Sequence, residues 1–290
     1  MLFESKLNIK NLLHKKITLF IVVICFCGLS SFAHGNLSIQ IKEKTNEIAK
    51  SPNNAKLYFE RGFLYQEHLE FDNATTDYLK SINLGYKDKE ATFKLAEANY
   101  EAYHFEEAIT YANSYLALDS LDVRIYKLRA KILYSLLEYK DAITSYNYFI
   151  NNAIDVRPED IVEYSKIILA ETPEDYTKAL DVINLGLKII GENTFSLQLK
   201  KLEYLENSNQ VNLAINQYNY FILNNNRKEF WYFKKATYLL ENKQIEQAKI
   251  ALQQSRVAIQ MLQPKFKNTV SIKDLTTQIT QLDKIISHEY

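Results

Sequence analysis

Glycine and proline are scarce in this chain, 6 and 4 among 290 residues of which 47% are apolar. A sandwich or barrel needs turn formers at every reversal, so their shortage argues against both and for long helices with short connections. Cysteine is nearly absent: Cys25 and Cys27 both sit in an apolar run close to the amino terminus. Nothing polar supports a thiolate there, which argues against a redox pair, a cysteine metal site or a cysteine nucleophile. The rest of the chain, lacking cysteine, neither uses nor risks a disulfide. No charge of one sign prevails, with 35 basic and 35 acidic residues, so no cationic field points to nucleic acid. The five histidines, His14, His34, His68, His104 and His288, are scattered and offer no metal-binding spacing. A glycine-rich phosphate loop and a nucleophile elbow are both missing. The reading is therefore of a non-enzyme with no catalytic residue, no cofactor and no metal.

The amino terminus has a three-part layout. Lys6, Lys10, Lys15 and Lys16 precede an uncharged run from Ile17 to Leu29, and small residues Ser31 and Ala33 then bracket Phe32. This is the pattern of a secretory signal over residues 1–33 with cleavage after Ala33. The run has 13 residues, short of the roughly 20 that cross hydrocarbon as a helix. An uncleaved segment anchoring the chain in the inner membrane is the alternative, and the membrane enters in no other way. Ile24 and Phe26 stand where a lipoprotein signal ending at Cys27 would carry Leu and a small residue. Without residues 1–33 the chain keeps 31 basic and 34 acidic residues, a net charge near −3. The expected place is the periplasm, the cell envelope or the exterior.

From residue 54 the chain repeats. Ala74, Ala108 and Ala142 are each 34 residues apart; Ala179 follows after 37, Ala214 after 35 and Ala248 after 34. Three residues before each alanine stands an apolar side chain: Phe71, Phe105, Tyr139, Tyr176, Val211 and Ile245. Twelve residues before it, four units carry a second small residue, Gly62, Ala96, Ala130 or Ala236. Two small sites per unit let two helices approach closely. Four residues after the alanines come Tyr78, Ala112, Tyr146, Ile183, Tyr218 and Leu252, placed to fill the space toward the next unit. A hairpin of this size has too little core to fold alone, so its large side chains must be covered by its neighbour. Acidic pairs Glu106-Glu107 and Glu159-Asp160 read as helix starts, where carboxylates favour the positive end of the dipole.

Arg61-Gly62, Tyr65, Ala74 and Tyr78 in the first unit resemble the tetratricopeptide repeat family, as do Tyr126, Ala130, Ala142 and Tyr146 in the third and Tyr232, Ala236, Ala248 and Leu252 in the sixth. The resemblance covers roughly residues 53–256 and is to an exported protein of bacterial type. It implies an all-α fold, a right-handed superhelical solenoid of antiparallel helical hairpins. The organisation expected is a partial repeat or amino-terminal capping helix over 34–53, then six units over 54–256. These span about 54–87, 88–121, 122–156, 157–193, 194–227 and 228–256. A carboxyl-terminal capping region over 257–290 follows, its stripe of Ile272, Leu275, Ile279, Leu282 and Ile286 alternatively available to a partner helix. Extra residues around Glu171 to Asp175, and Leu202 at the fifth unit's small site, single out units four and five as divergent.

In that family the first helix of each hairpin lines a concave face. The resemblance places Phe59, Phe63, Phe93, Glu97, Lys127 and Lys131 on it, joined by Tyr100 and Tyr134 one turn further on and by Phe233 and Thr237 later. The groove so drawn is aromatic in its amino-terminal half, followed by a lysine pair, and suits an extended peptide with apolar side chains and an acidic residue. Phe59 and Phe63 replace the Lys and Asn of the chaperone-tail clamps of some relatives. The function expected is a scaffold or adaptor holding a protein or peptide partner in a cell-envelope complex. The alternative is a periplasmic holder of exported clients that uses Phe59, Phe63 and Phe93.

Overall fold

The computed structural model describes residues 36–289, and these are helical with short connections; the predicted signal segment lies outside them. Two compact units divide the chain after Asn152. The first holds α1 (36–50), α2 (Ala55–Glu67), α3 (Phe71–Asn83), α4 (Glu90–Glu101), α5 (Phe105–Leu118), α6 (Val123–Ser135) and α7 (Tyr139–Asn152). The second holds α8 (Pro158–Glu171), α9 (Tyr176–Ile190), α10 (Phe195–Asn207), α11 (Val211–Asn224), α12 (Lys228–Glu241), α13 (Ile245–Met261), α14 (Pro264–Lys267) and α15 (Val270–Glu289). The fold is all-α, an array of antiparallel helical hairpins.

Each of the six apolar residues that precede the repeating alanines by three is the first residue of its helix, from Phe71 in α3 to Ile245 in α13. The alanines themselves are fully buried. The hairpin turns share one device: the residue five before the alanine has a left-handed backbone, at Leu69, Tyr103, Leu137, Glu174, Asn209 and Lys243. In the first hairpin this lets the Glu70 amide donate to the Tyr65 carbonyl at 2.8 Å, and His104 to Asn99, Glu138 to Leu133, Gln210 to Leu205 and Gln244 to Leu239 repeat the bond. A left-handed side chain costs about 1–2 kcal/mol that glycine would not, and the sequence carries no glycine at these six positions.

The fourth unit accommodates its three extra residues in three places. The connection 153–157 is one residue longer than 119–122, α8 has 14 residues against 13 in α6, and its turn 172–175 has four residues against three at 136–138. The close approach in this unit is made differently. A Cβ on Gly186 of α9 would stand 2.5, 2.7 and 3.0 Å from Cγ2, Cγ1 and Cβ of Ile161 in α8. These are the inner atoms of a branched side chain and cannot swing aside. Gly186→Ala is therefore expected to destabilise the second unit by about 1–3 kcal/mol through overpacking, although alanine is the better helix former by about 1 kcal/mol. Urea denaturation checks this, and combination with Ile161→Ala should lose less than the sum of the two single losses.

At the ends, Ile48 of α1 is buried, Ile41 is half-buried and Ile39 faces solvent, so only part of the apolar pattern in 38–50 serves the core. In α15, Ile272, Leu275, Ile279, Leu282 and Ile286 pack with Ala236, Leu239, Ala248, Ala251 and Leu252 of α12 and α13. That stripe is therefore occupied within the chain and not presented to a partner helix.

Candidate functional site

In the first unit the face formed by α2, α4 and α6 starts from the close crossing at Gly62, whose missing side chain leaves room for the Tyr78 ring at 2.9 Å from where a Cβ would be. Tyr78, fully buried, donates its hydroxyl to Gln66 Oε1 at 2.8 Å, and burial pushes its phenol far above the ordinary range. Gln66 Nε2 donates to Glu97 Oε2 at 2.7 Å, which also takes Lys94 Nζ at 2.7 Å. The Lys94 ammonium lies 5.9 Å from the centre of the Phe63 ring. A chain of partners thus runs from the core to the surface and ends at Phe63, which is 42% exposed. Gln66 and Lys94 were not singled out from the sequence. The signal for both was their spacing on helices whose register the alanines set.

The other predicted groove residues divide. Phe59 is half-buried, stacked on Tyr86 at 5.0 Å and tilted against Tyr78 at 5.7 Å. With Phe63, Leu64, Gln40, Glu43 and Lys44 it lines a concavity of about 520 Å³ between α1 and α2. Phe93 does not reach the surface: it is 6% exposed, edge-on to Tyr115 at 5.4 Å, and covered by the Arg124 guanidinium at 4.6 Å. It is a core residue, and its placement in the groove is corrected accordingly. Tyr100 is half-buried against Phe105, while Tyr134 is 41% exposed and tilted on Tyr139. Lys127 and Lys131 are half-buried on α6, the Lys127 ammonium 5.4 Å from the Phe149 ring. Phe63, Glu97 and Tyr134 therefore remain accessible, with the two lysine stems alongside.

His68 and His104 stand at hairpin turns. His68 Nδ1 is 2.7 Å from Glu70 Oε1, and His104 Nε2 is 3.7 Å from Asp72 Oδ1. Among the described residues no group of three His, Cys, Asp or Glu side chains is placed to hold a metal ion, and no helix is long and apolar enough to cross a membrane.

The second unit has a cleft of its own, about 600 Å³, between α10 and α12 with Tyr218 of α11 at its base. Phe233 and Thr237, placed inward by the family resemblance, both line it, together with Glu206, Asn207, Lys234, Tyr238, Glu241 and Asn242. The repeat permits direct comparison with the first unit. Tyr218 corresponds to Tyr78, Glu206 to Gln66, Lys234 to Lys94 and Thr237 to Glu97. Tyr218 donates to Glu206 Oε1, so the first bond of the chain is kept. The later ones are lost: Thr237 has no carboxylate, and the Lys234 ammonium lies over the Trp231 ring, 4.9 Å from its centre.

No protein-family profile matches the chain. No curated protein matches it either. Solved structures do. The C-terminal part of a TPR repeat-containing protein from Cytophaga hutchinsonii is similar over 83% of this chain and 94% of its own, with a TM-score of 0.61 and 16% identity. A tetratricopeptide repeat protein from Parabacteroides merdae is similar over 85% of this chain and 93% of its own, at 0.51 and 13%. In the structure of Naa15/Naa10 bound to HypK-THB, the matching chain gives 0.54 and 13% identity, covering 86% of this chain and 39% of that one. At such identities the likeness concerns the fold, and the fold of this chain is that of tetratricopeptide repeat proteins.

Proposed function

We propose that the protein is a non-enzymatic scaffold that holds a peptide or protein segment against the α2, α4 and α6 face of its first unit. The observation that carries this reading is the pairing on that face of accessible aromatic rings, Phe63 and Tyr134, with the ordered ion pair of Lys94 and Glu97 at 2.7 Å. Aromatic side chains left in water beside fixed polar groups give a partner both buried area and orientation. The three-part layout of residues 1–33 supports export, and the reading places the partner in the cell envelope. A general holder of apolar clients is less well supported, because Phe93 lies in the core and the exposed apolar area is correspondingly smaller.

The test is crosslinking and capture from the cell envelope with wild type and with Phe63→Ala/Tyr134→Ala. Loss of two central aromatic anchors should cut recovery of a specific partner about tenfold or more. Recovery of the same proteins in the same amounts by both chains would move the interface off this face.

A further inference from the structure

We infer that the cleft between α10 and α12 is a separate binding site for a cationic side chain, that of arginine, presented by a partner segment. The inference rests on the reading of the protein as a protein-binding scaffold only for the origin of that side chain; its site lies on the other unit.

Three observations meet at the cleft. The first is charge. Glu206 and Glu241 both line it, and neither is paired with a cation of the described residues, since Lys234 is held over Trp231. In the first unit these two positions hold Gln66 and Glu101, so the Glu206 carboxylate is an addition of the second unit. The second is an orphaned group. Tyr238 is 7% exposed, and its hydroxyl is buried with no hydrogen-bond partner. The first unit has Ala98 at this position, so the hydroxyl is an addition of the second unit. Burial, and then the Glu206 carboxylate, push this phenol up from its ordinary range. A buried hydroxyl left without a partner is costly and uncommon in folded proteins. The third is shape. The rings of Tyr218 and Tyr238 lie 5.8 Å apart, with Phe233 on the same lining.

A guanidinium meets all three conditions. It donates to both carboxylates, donates to a phenol oxygen that has no other partner, and lies flat against aromatic rings. Lysine offers the charge without the plane, and an acidic or purely apolar side chain would leave both carboxylates unanswered.

The probe is N-acetyl-arginine amide, titrated into the intact protein carrying ring-labelled tyrosine and followed by NMR, with N-acetyl-citrulline amide as the neutral isostere. The tyrosine signals assigned to Tyr218 and Tyr238 should move saturably with the arginine compound and stay in place with citrulline. Glu206→Gln restores the residue that the first unit has at this position and so preserves the fold; it should weaken binding about fivefold. Tyr238→Phe should weaken it by a smaller factor. Equal shifts from arginine and citrulline, no shifts at all, or arginine binding undiminished in Glu206→Gln/Glu241→Gln would overturn the assignment. Phe63→Ala/Tyr134→Ala should leave these titrations unchanged, so loss of partner capture in that variant with intact arginine binding separates failure of one site from failure of the other.

Discussion

Asp77→Ala should lower the stability of the first unit by about 3 kcal/mol, at the low end of the range for removing one partner of a buried ion pair. Asp77 and Arg61 meet because Gly62 lets α3 close on α2: a Cβ at Gly62 would stand 3.3 Å from Cβ of Asp77. The pair is bidentate, Arg61 Nε to Asp77 Oδ2 at 2.6 Å and Nη2 to Oδ1 at 2.8 Å. The carboxylate side chain is 4% exposed and the arginine side chain 16%. Removing the acid leaves a guanidinium with Thr45 Oγ1 at 3.1 Å and the faces of Tyr58 and Tyr65 at 5.7 and 5.6 Å, contacts that do not neutralise it. The cost lies mainly in that stranded charge, so Arg61→Met/Asp77→Leu should be markedly more stable than Asp77→Ala alone. Urea denaturation followed by circular dichroism, with hydrogen exchange of α2 and α3, measures both. A loss below about 1 kcal/mol in Asp77→Ala would mean that solvent screens the pair.

What was legible in the sequence was what close packing forces on it. A helix crossing admits only a small side chain, so the alanines from Ala74 to Ala248 announced the hairpins and the first residue of each second helix. The turns left no such trace, because Leu69, Tyr103 and Leu137 adopt the left-handed conformation that a sequence reader assigns to glycine. A further repeating position also went unread, seven residues after each alanine. It holds Ser81 and Ser255 in the first and last hairpins, each fully buried and donating across its hairpin at 2.8 Å, to the Ala55 and Glu229 carbonyls. Between them it holds Tyr115, Phe149, Gly186 and Phe221, a sequence of sizes that shows no pattern until the facing helix is known. Gly186 is small because Ile161 occupies the space, and Phe221 is large because Trp231 offers it a ring.

The site was less legible for a related reason. Helical spacing puts a residue on a face but leaves its χ angles open, and a large ring at the margin of that face turns toward the nearest apolar neighbour. Phe63, with the Lys94 ammonium 5.9 Å from its ring centre, stays exposed, whereas Phe93 meets Tyr115 edge-on and is buried. The second cleft escaped because what distinguishes it is that Glu206, where the first unit has Gln66, has no cation beside it among the described residues, and that needs three dimensions to be seen.

Phe221→Ala should produce the largest loss in the second unit, about 3–5 kcal/mol, the range for truncating a buried phenylalanine. Phe221 is fully buried, its ring parallel to that of Trp231 at 4.0 Å with 7° between planes, and met edge-on by Phe195 at 5.7 Å and Tyr220 at 5.6 Å. Trp231 begins the contact of α12 with α11, so the cavity would open where one hairpin covers the next, the contact on which a repeat array depends. Because Trp231 is the single tryptophan of the chain, its fluorescence reports this event directly. Emission in Phe221→Ala should shift to the red as water gains access to the indole. Phe221→Leu, which keeps the volume closer, should restore most of the stability and most of the emission maximum. If Phe221→Ala lost its stability while Trp231 kept the wild-type spectrum, the stacked pair would not be the source of the loss, and the neighbouring rings of Phe195 and Tyr220 would have to supply it.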